Sequence, residues 1–239
     1  MIKSALEYIV GLQKPNIIEA RDGWQYSDKS LERISYNPKA RGIELTTLSS
    51  LIEYIKSGVD KMQGDMIVHV KTPQKVALYS SLDDERTREY VIEVNAELPT
   101  FPFGRYLGHE EFCIGLQSKF LKNNDRELLL KFAGTVEAGT IANYGDDGVT
   151  QKATVKTGVA SKSDAVVPSP VSLQAYRTFV EIEQPECQYI FRMRQDRDQG
   201  IECALFEADG GAWKLQAMQS IKEYLRVNLT EMQGYIVIA

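Results

Sequence analysis

Four arginines are the residues whose type and spacing could do chemistry in this sequence. Arg192 and Arg194 alternate with Phe191 and Met193 in a run that begins at Cys187, so they share the polar face of a strand. Arg197 follows in a turn, and Arg177 lies in the run before. Clustered guanidinium groups hold phosphate in a bidentate grip, which makes Arg177, Arg192, Arg194 and Arg197 the candidate anion- or nucleic-acid-binding site. A structural reading competes with this one. Glu181, Glu183 and Glu202 lie on neighbouring runs, where cross-strand ion pairs are routine. Tyr189 and Phe191 fall on the face opposite Arg192 and Arg194, which weakens any groove in which bases would stack.

Other reactive side chains offer less. His69 sits inside the apolar run Met66 to Val70 and reads as structural. His109 precedes Glu110 and Glu111, a trio that could hold a metal. The run Glu111 to Gln117 reads as a strand, however, and adjacent strand residues point to opposite faces. Cys187 and Cys203 fall on the apolar side of a hairpin, with Cys203 expected to face Phe191, and read as buried, inert thiols. Acidic clusters at Asp83-Asp84-Glu85 and Asp146-Asp147 lie in turns. No Cys-x-x-Cys pair, Walker-type phosphate loop, Gly-x-Gly-x-x-Gly turn or Gly-x-Ser-x-Gly elbow occurs. The sequence therefore points to no catalytic residue, no metal and no cofactor.

The elements that would position the arginines lie between Val171 and Leu229. Cys187 to Arg194 and Ile201 to Leu205 alternate around a turn-rich stretch and predict an antiparallel hairpin. Val171, Leu173 and Ala175, then Thr178, Val180 and Ile182, predict a strand that changes face near Tyr176 and Arg177. Asp209-Gly210-Gly211 opens a helix whose apolar stripe is Trp213, Ala217, Ile221 and Leu225, expected to back the hairpin. A last strand follows at Tyr235 to Ile238.

Upstream, Ile2 to Val10 predicts a short amphipathic helix, and Asn16 to Ala20 and Trp24 to Tyr26 predict short strands. Gly42 to Thr46 reads as a strand. Thr47 caps a helix that buries Leu48, Leu51, Ile52 and Ile55 and stops at Gly58. Strands follow at Met66 to Val70, Lys75 to Ser80 and Glu89 to Ala96. The aromatic connector Pro99 to Gly104 marks the boundary between an N-terminal lobe, 1–98, and a C-terminal lobe, 99–239. Asn124 and Glu127 have capping-box spacing ahead of a helix through Phe132. Residues 135–165 contain no Leu, Phe, Trp or Met and predict a flexible loop or a projecting hairpin. The fold class is α+β, with mainly antiparallel sheets and a few packed amphipathic helices.

Composition narrows the setting. The chain has 239 residues, 43% hydrophobic and 26% charged, with a net charge of −5, so nothing global favours nucleic acid or an anionic membrane. Three cysteines without regular spacing fit a reducing cytoplasm. No apolar run reaches the roughly 18 residues of a membrane span, and the N-terminus lacks a signal-peptide layout.

Several stretches together resemble the YfdQ-like family, a family of unknown function encoded by phages and prophages. They are Lys39-Ala40-Arg41-Gly42 with the following strand and the helix from Thr47 to Tyr54; His109 ahead of a strand, and the helix around Phe132-Ala133; and Val167-Pro168 to Leu173, Tyr189 to Arg194 and Ile201 to Glu207. The resemblance implies a phage or prophage accessory protein working in the cytoplasm of the bacterial host, and it supplies no catalytic residues. The leading functional expectation is a non-enzymatic homo-oligomer that binds or assembles with itself. The alternative is a nucleic-acid or nucleotide-binding factor in phage replication, recombination or counter-defence. A third, an enzyme using a metal at His109 and Glu111, ranks last.

Overall fold

The computed structural model describes residues 2–11, 15–19, 25–28, 40–62, 64–84, 86–136, 142–143, 151–156, 162–196 and 200–239. Two compact units divide it, Met1–Lys39 and Ala40–Ala239. In the first, α1 (Ile2–Gly11) precedes β1 (Ile17–Glu19), which pairs antiparallel with β2 (Gln25–Ser27).

The second unit is α+β and opens with β3 (Ile43–Leu45) and α2 (Leu48–Ser57). Thr47 accepts the Ser50 backbone N–H at 3.1 Å, and Gly58 ends the helix at φ 58°, a conformation that costs glycine least. The expected stripe of Leu48, Leu51, Ile52 and Ile55 is buried. Three strands follow, β4 (Met66–Thr72), β5 (Lys75–Ser80) and β6 (Tyr90–Asn95). They form an antiparallel meander flanked by β3 on one side.

After the connector comes β7 (Leu107–Gly108). The next run is a helix, α3 (His109–Lys119), where a strand at Glu111 to Gln117 was expected. Phe112, Ile114 and Leu116 satisfy a period of two, but the buried set is Phe112, Gly115 and Leu116, and Ile114 is 56% exposed. Packing thus selects the helical period. Gly115 lets the helix approach the connector closely, since a Cβ there would lie 2.9 Å from the Phe101 ring. In α4 (Asn124–Thr135) the cap is Asn123, which accepts the Arg126 N–H at 2.8 Å, one residue before the expected Asn124.

Within 135–165, β8 (Ala142–Asn143) and β10 (Lys162–Val166) pair on either side of β9 (Gln151–Lys156), so the described residues there form an antiparallel hairpin and a short third strand. Then come β11 (Val171–Leu173), β12 (Cys187–Asp196), β13 (Gly200–Glu207), α5 (Ala212–Asn228) and β14 (Tyr235–Ile238). The second sheet runs β11-β12-β13-β7. Its hairpin register places Cys203 opposite Met193 and Leu205 opposite Phe191, two residues from the expected pairing of Cys203 with Phe191.

No strand forms at Thr178 to Ile182. Gln184 occupies the backbone of this stretch instead: its Oε1 accepts the Arg177 and Thr178 N–H groups, and its Nε2 donates to the Thr178 and Phe179 carbonyls. A ladder partner is not needed when one buried side chain satisfies the turn.

Helix α5 differs most from expectation. Trp213 and Ala217 join the core of the second sheet, with Phe112, Leu116, Leu173 and Phe191. Ile221, Leu225 and Leu229 join the core of the first, with Leu51, Val68 and Leu78. The helix backs both sheets rather than the hairpin alone. Strand β14 likewise returns to the first sheet, pairing parallel with β4, so that the sheet order is β14-β4-β5-β6-β3.

Candidate functional site

The four arginines do not form one cluster. Arg197 lies outside the described residues. Arg192 and Arg194 do share one face of β12, whose buried alternates are Cys187, Tyr189, Phe191 and Met193. Arg194 donates to Glu202, directly across the ladder, at 2.5 Å, and its guanidinium lies 4.1 Å from the centre of the Tyr106 ring. The Glu202 carboxylate, which is buried, holds the Arg194 guanidinium above its ordinary pKa. Arg192 donates to the Phe191 carbonyl and faces Ala204.

Arg177 is on the other side of the strand. It is buried, ion-pairs with Glu207, and lies 4.3 Å from both the Phe103 and Trp213 ring centres and 5.8 Å from that of Tyr189. Tyr189 and Glu207 pair across the ladder and share the inward face, which separates Arg177 from Arg192 and Arg194. Among the described residues, the buried Trp213 Nε1 and Tyr189 hydroxyl have no hydrogen-bond partner. Arg177, Phe103 and Trp213 also line a cleft of about 270 Å³, with Gln74, Lys119 and Tyr176 at its wall. Lys119 is committed there to the Thr100 carbonyl, at 2.6 Å.

Of the three acidic residues offered as partners on neighbouring runs, Glu202 pairs with Arg194. Glu181 instead accepts the Ser49 N–H at 3.2 Å, in the first turn of α2, where a helix dipole favours negative charge. Two residues that sequence reasoning passed over join the Arg194 surface. Phe206 lies on the same face, in phase with Glu202 and Ala204, a phase readable from the alternation of β13. Tyr106, which meets Phe206 edge to face at 6.1 Å, arrives through the β7 pairing and left no local signal.

His109 is a helix tie. Its Nε2 meets the Ala133 carbonyl of α4 at 3.0 Å and Cys113 Sγ at 3.7 Å, while Glu110 and Glu111 are exposed. Among the described residues, no three His, Cys, Asp or Glu side chains converge as a metal site. Burial pushes the Cys203 thiol up to about 12 and raises Cys187 and Cys113 as well, which suppresses the nucleophilic thiolate. Among the described residues no helix is long and apolar enough to cross a membrane.

A surface of a different kind closes the first sheet. Strand β14 is one of its two edges, β3 the other. The Gly234 carbonyl accepts the Met66 N–H at 2.7 Å, so a parallel ladder aims the backbone groups of Ile236 and Ile238 at β4. Those of Tyr235 and Val237 point away from the sheet. The Ile236 and Ile238 side chains are 53% and 41% exposed. No protein-family profile, curated protein or solved structure matches the chain.

Proposed function

We propose that this chain is a non-enzymatic assembly protein that binds copies of itself, and that its setting is the one its YfdQ-like motifs suggest, a phage or prophage accessory role in the bacterial cytoplasm. The observation that carries the self-binding is the edge strand β14. Sheet edges in folded proteins are blunted by charge, proline, a bulge or a covering element. Tyr235-Ile236-Val237-Ile238 contains neither a charge nor a proline, and two of its side chains are open isoleucines. Among the described residues nothing pairs with the outward N–H and C=O groups of Tyr235 and Val237; such groups suit an extended backbone as partner, and a second copy supplies the same edge.

A two-fold axis would pair β14 antiparallel with its counterpart. That gives one continuous sheet and sets Ile236 and Ile238 beside the partner's equivalents. Both side chains are exposed, so Ile236→Lys with Ile238→Lys introduces like charges at the seam without touching the core. The wild-type chain is expected to run as an oligomer at micromolar concentration in light scattering and native mass spectrometry. The double variant is expected to keep the wild-type circular dichroism and fall to a smaller species. A wild-type monomer removes the proposal.

A further inference from the structure

Helices α2 and α5 cover one face of the five-stranded sheet. The alternate side chains form the opposite face. On it lie His69 and Lys71 of β4, Tyr79 of β5, and Tyr90 and Glu93 of β6, all half-buried. Three neighbouring strands therefore each contribute one ring. Tyr79 and Tyr90 meet edge to face with centres 5.1 Å apart, and His69 lies 6.5 Å from Tyr79. The Lys71 ammonium sits over both tyrosines, 5.3 Å from the Tyr79 centre and 5.0 Å from that of Tyr90.

We propose that this face binds single-stranded nucleic acid, with His69, Tyr79 and Tyr90 as the surface on which bases stack and Lys71 as the contact to the backbone phosphates. Ring spacing follows from strand spacing, which is close to 5 Å and suits successive bases splayed over adjacent strands. Charge supports the same occupant. Glu93 is already held by Lys75, by Asn95 at 3.1 Å and by the Tyr90 hydroxyl, and the exposed Glu44 of β3 lies beside it at the rim of the cluster. The Lys75 and Asn95 hydrogen bonds lower the Glu93 pKa ahead of the charge of Lys71, so Glu93 is paired first with Lys75, and the Lys71 ammonium keeps its place over the two tyrosine rings. The cation and the rings occupy one patch, whereas Arg194 on the other sheet is committed to Glu202. A duplex hides its base faces in its own stack, so rings of this kind select single strands. This inference does not depend on self-association.

The test is fluorescence anisotropy with the full chain and labelled oligothymidylate and oligouridylate of about 15 nucleotides, with a duplex of equal length as comparison. Titrations run between about 50 and 200 mM salt. Single strands are expected to bind more tightly than the duplex. Tyr79→Ala is expected to weaken binding about ten-fold, while Tyr79→Phe, which keeps the ring, stays near wild type. Lys71→Gln is expected to flatten the slope of log affinity against log salt by about 0.7, the share of one phosphate contact on a single strand. Arg192→Ala is expected to change nothing. The proposal is overturned by any of three results: no binding at the lowest salt, a duplex bound as tightly as the single strand, or folded Tyr79→Ala and Lys71→Gln proteins with wild-type isotherms. Affinity that falls with Arg192→Ala instead would assign binding to the other sheet and overturn it equally.

Discussion

Arg177 brings a guanidinium into the core between Phe103 and Trp213, and Glu207 supplies the opposing charge. Removing it deletes a charge-assisted hydrogen bond and three cation–ring contacts, and leaves Glu207 partly exposed and therefore still solvated. Arg177→Met, which conserves most of the volume, is expected to cost about 2 kcal/mol in urea unfolding. An unchanged midpoint would mean that desolvation cancels those contacts. A second residue-scale expectation concerns acid. Lys75, then Asn95, hold Glu93 below its ordinary value of 4.5. A carboxylate with a lowered folded pKa stabilises fully above its unfolded value and loses that contribution as pH falls through the folded one. Lys75→Gln is therefore expected to lower stability above pH 4.5 and to converge with wild type in strong acid, as followed by urea unfolding across that window. Parallel curves at every pH would exclude the pair as the cause. Little of this was legible in the chain. Arg192 and Arg194 could be placed on one face because alternation is local. The partners of Arg177 come from the connector, β13 and α5, and only tertiary packing brings them together.

At the scale of elements, α5 is the piece that joins the two cores, with Trp213 and Ala217 in one and Ile221, Leu225 and Leu229 in the other. The loop 177–184 adds a second tie: Thr178 donates to the Pro73 carbonyl at 2.5 Å and Gln74 donates to the Arg177 carbonyl at 3.2 Å. Two sheets fastened this way should open together. Ile221→Ala is expected to cost about 3 kcal/mol and to raise amide exchange in β12 and β13 as well as in β4 and β5. Faster exchange confined to the first sheet would show that the cores are independent. The periods of α2, α5 and the β4–β6 strands were readable because a single interpretation fits each. In α3, Phe112, Ile114 and Leu116 fit a strand as well as a helix, and contact with Phe101 decides between them. At Thr178 to Ile182 the apolar alternation was real, but Gln184 satisfies the backbone there and no strand is needed.

For the whole molecule, the sequence indicated an α+β class, while the lobe boundary expected at Pro99 to Gly104 falls inside the compact unit Ala40–Ala239, where α5 contributes to both cores. The sequence could not indicate that β14 crosses back to pair with β4, because a four-residue apolar strand carries no address in its own composition. That return is what leaves Tyr235–Ile238 as an uncharged edge with no outer partner strand among the described residues, and the proposed self-association turns on it. The most direct test is the mass of the wild-type chain beside that of the Ile236→Lys, Ile238→Lys variant, measured at the same micromolar concentration. A multiple of the single-chain mass is expected for the wild type and a smaller species for the variant, with both folded. A wild type that stays at the single-chain mass, or an oligomer that the two lysines leave intact, would contradict self-association through β14.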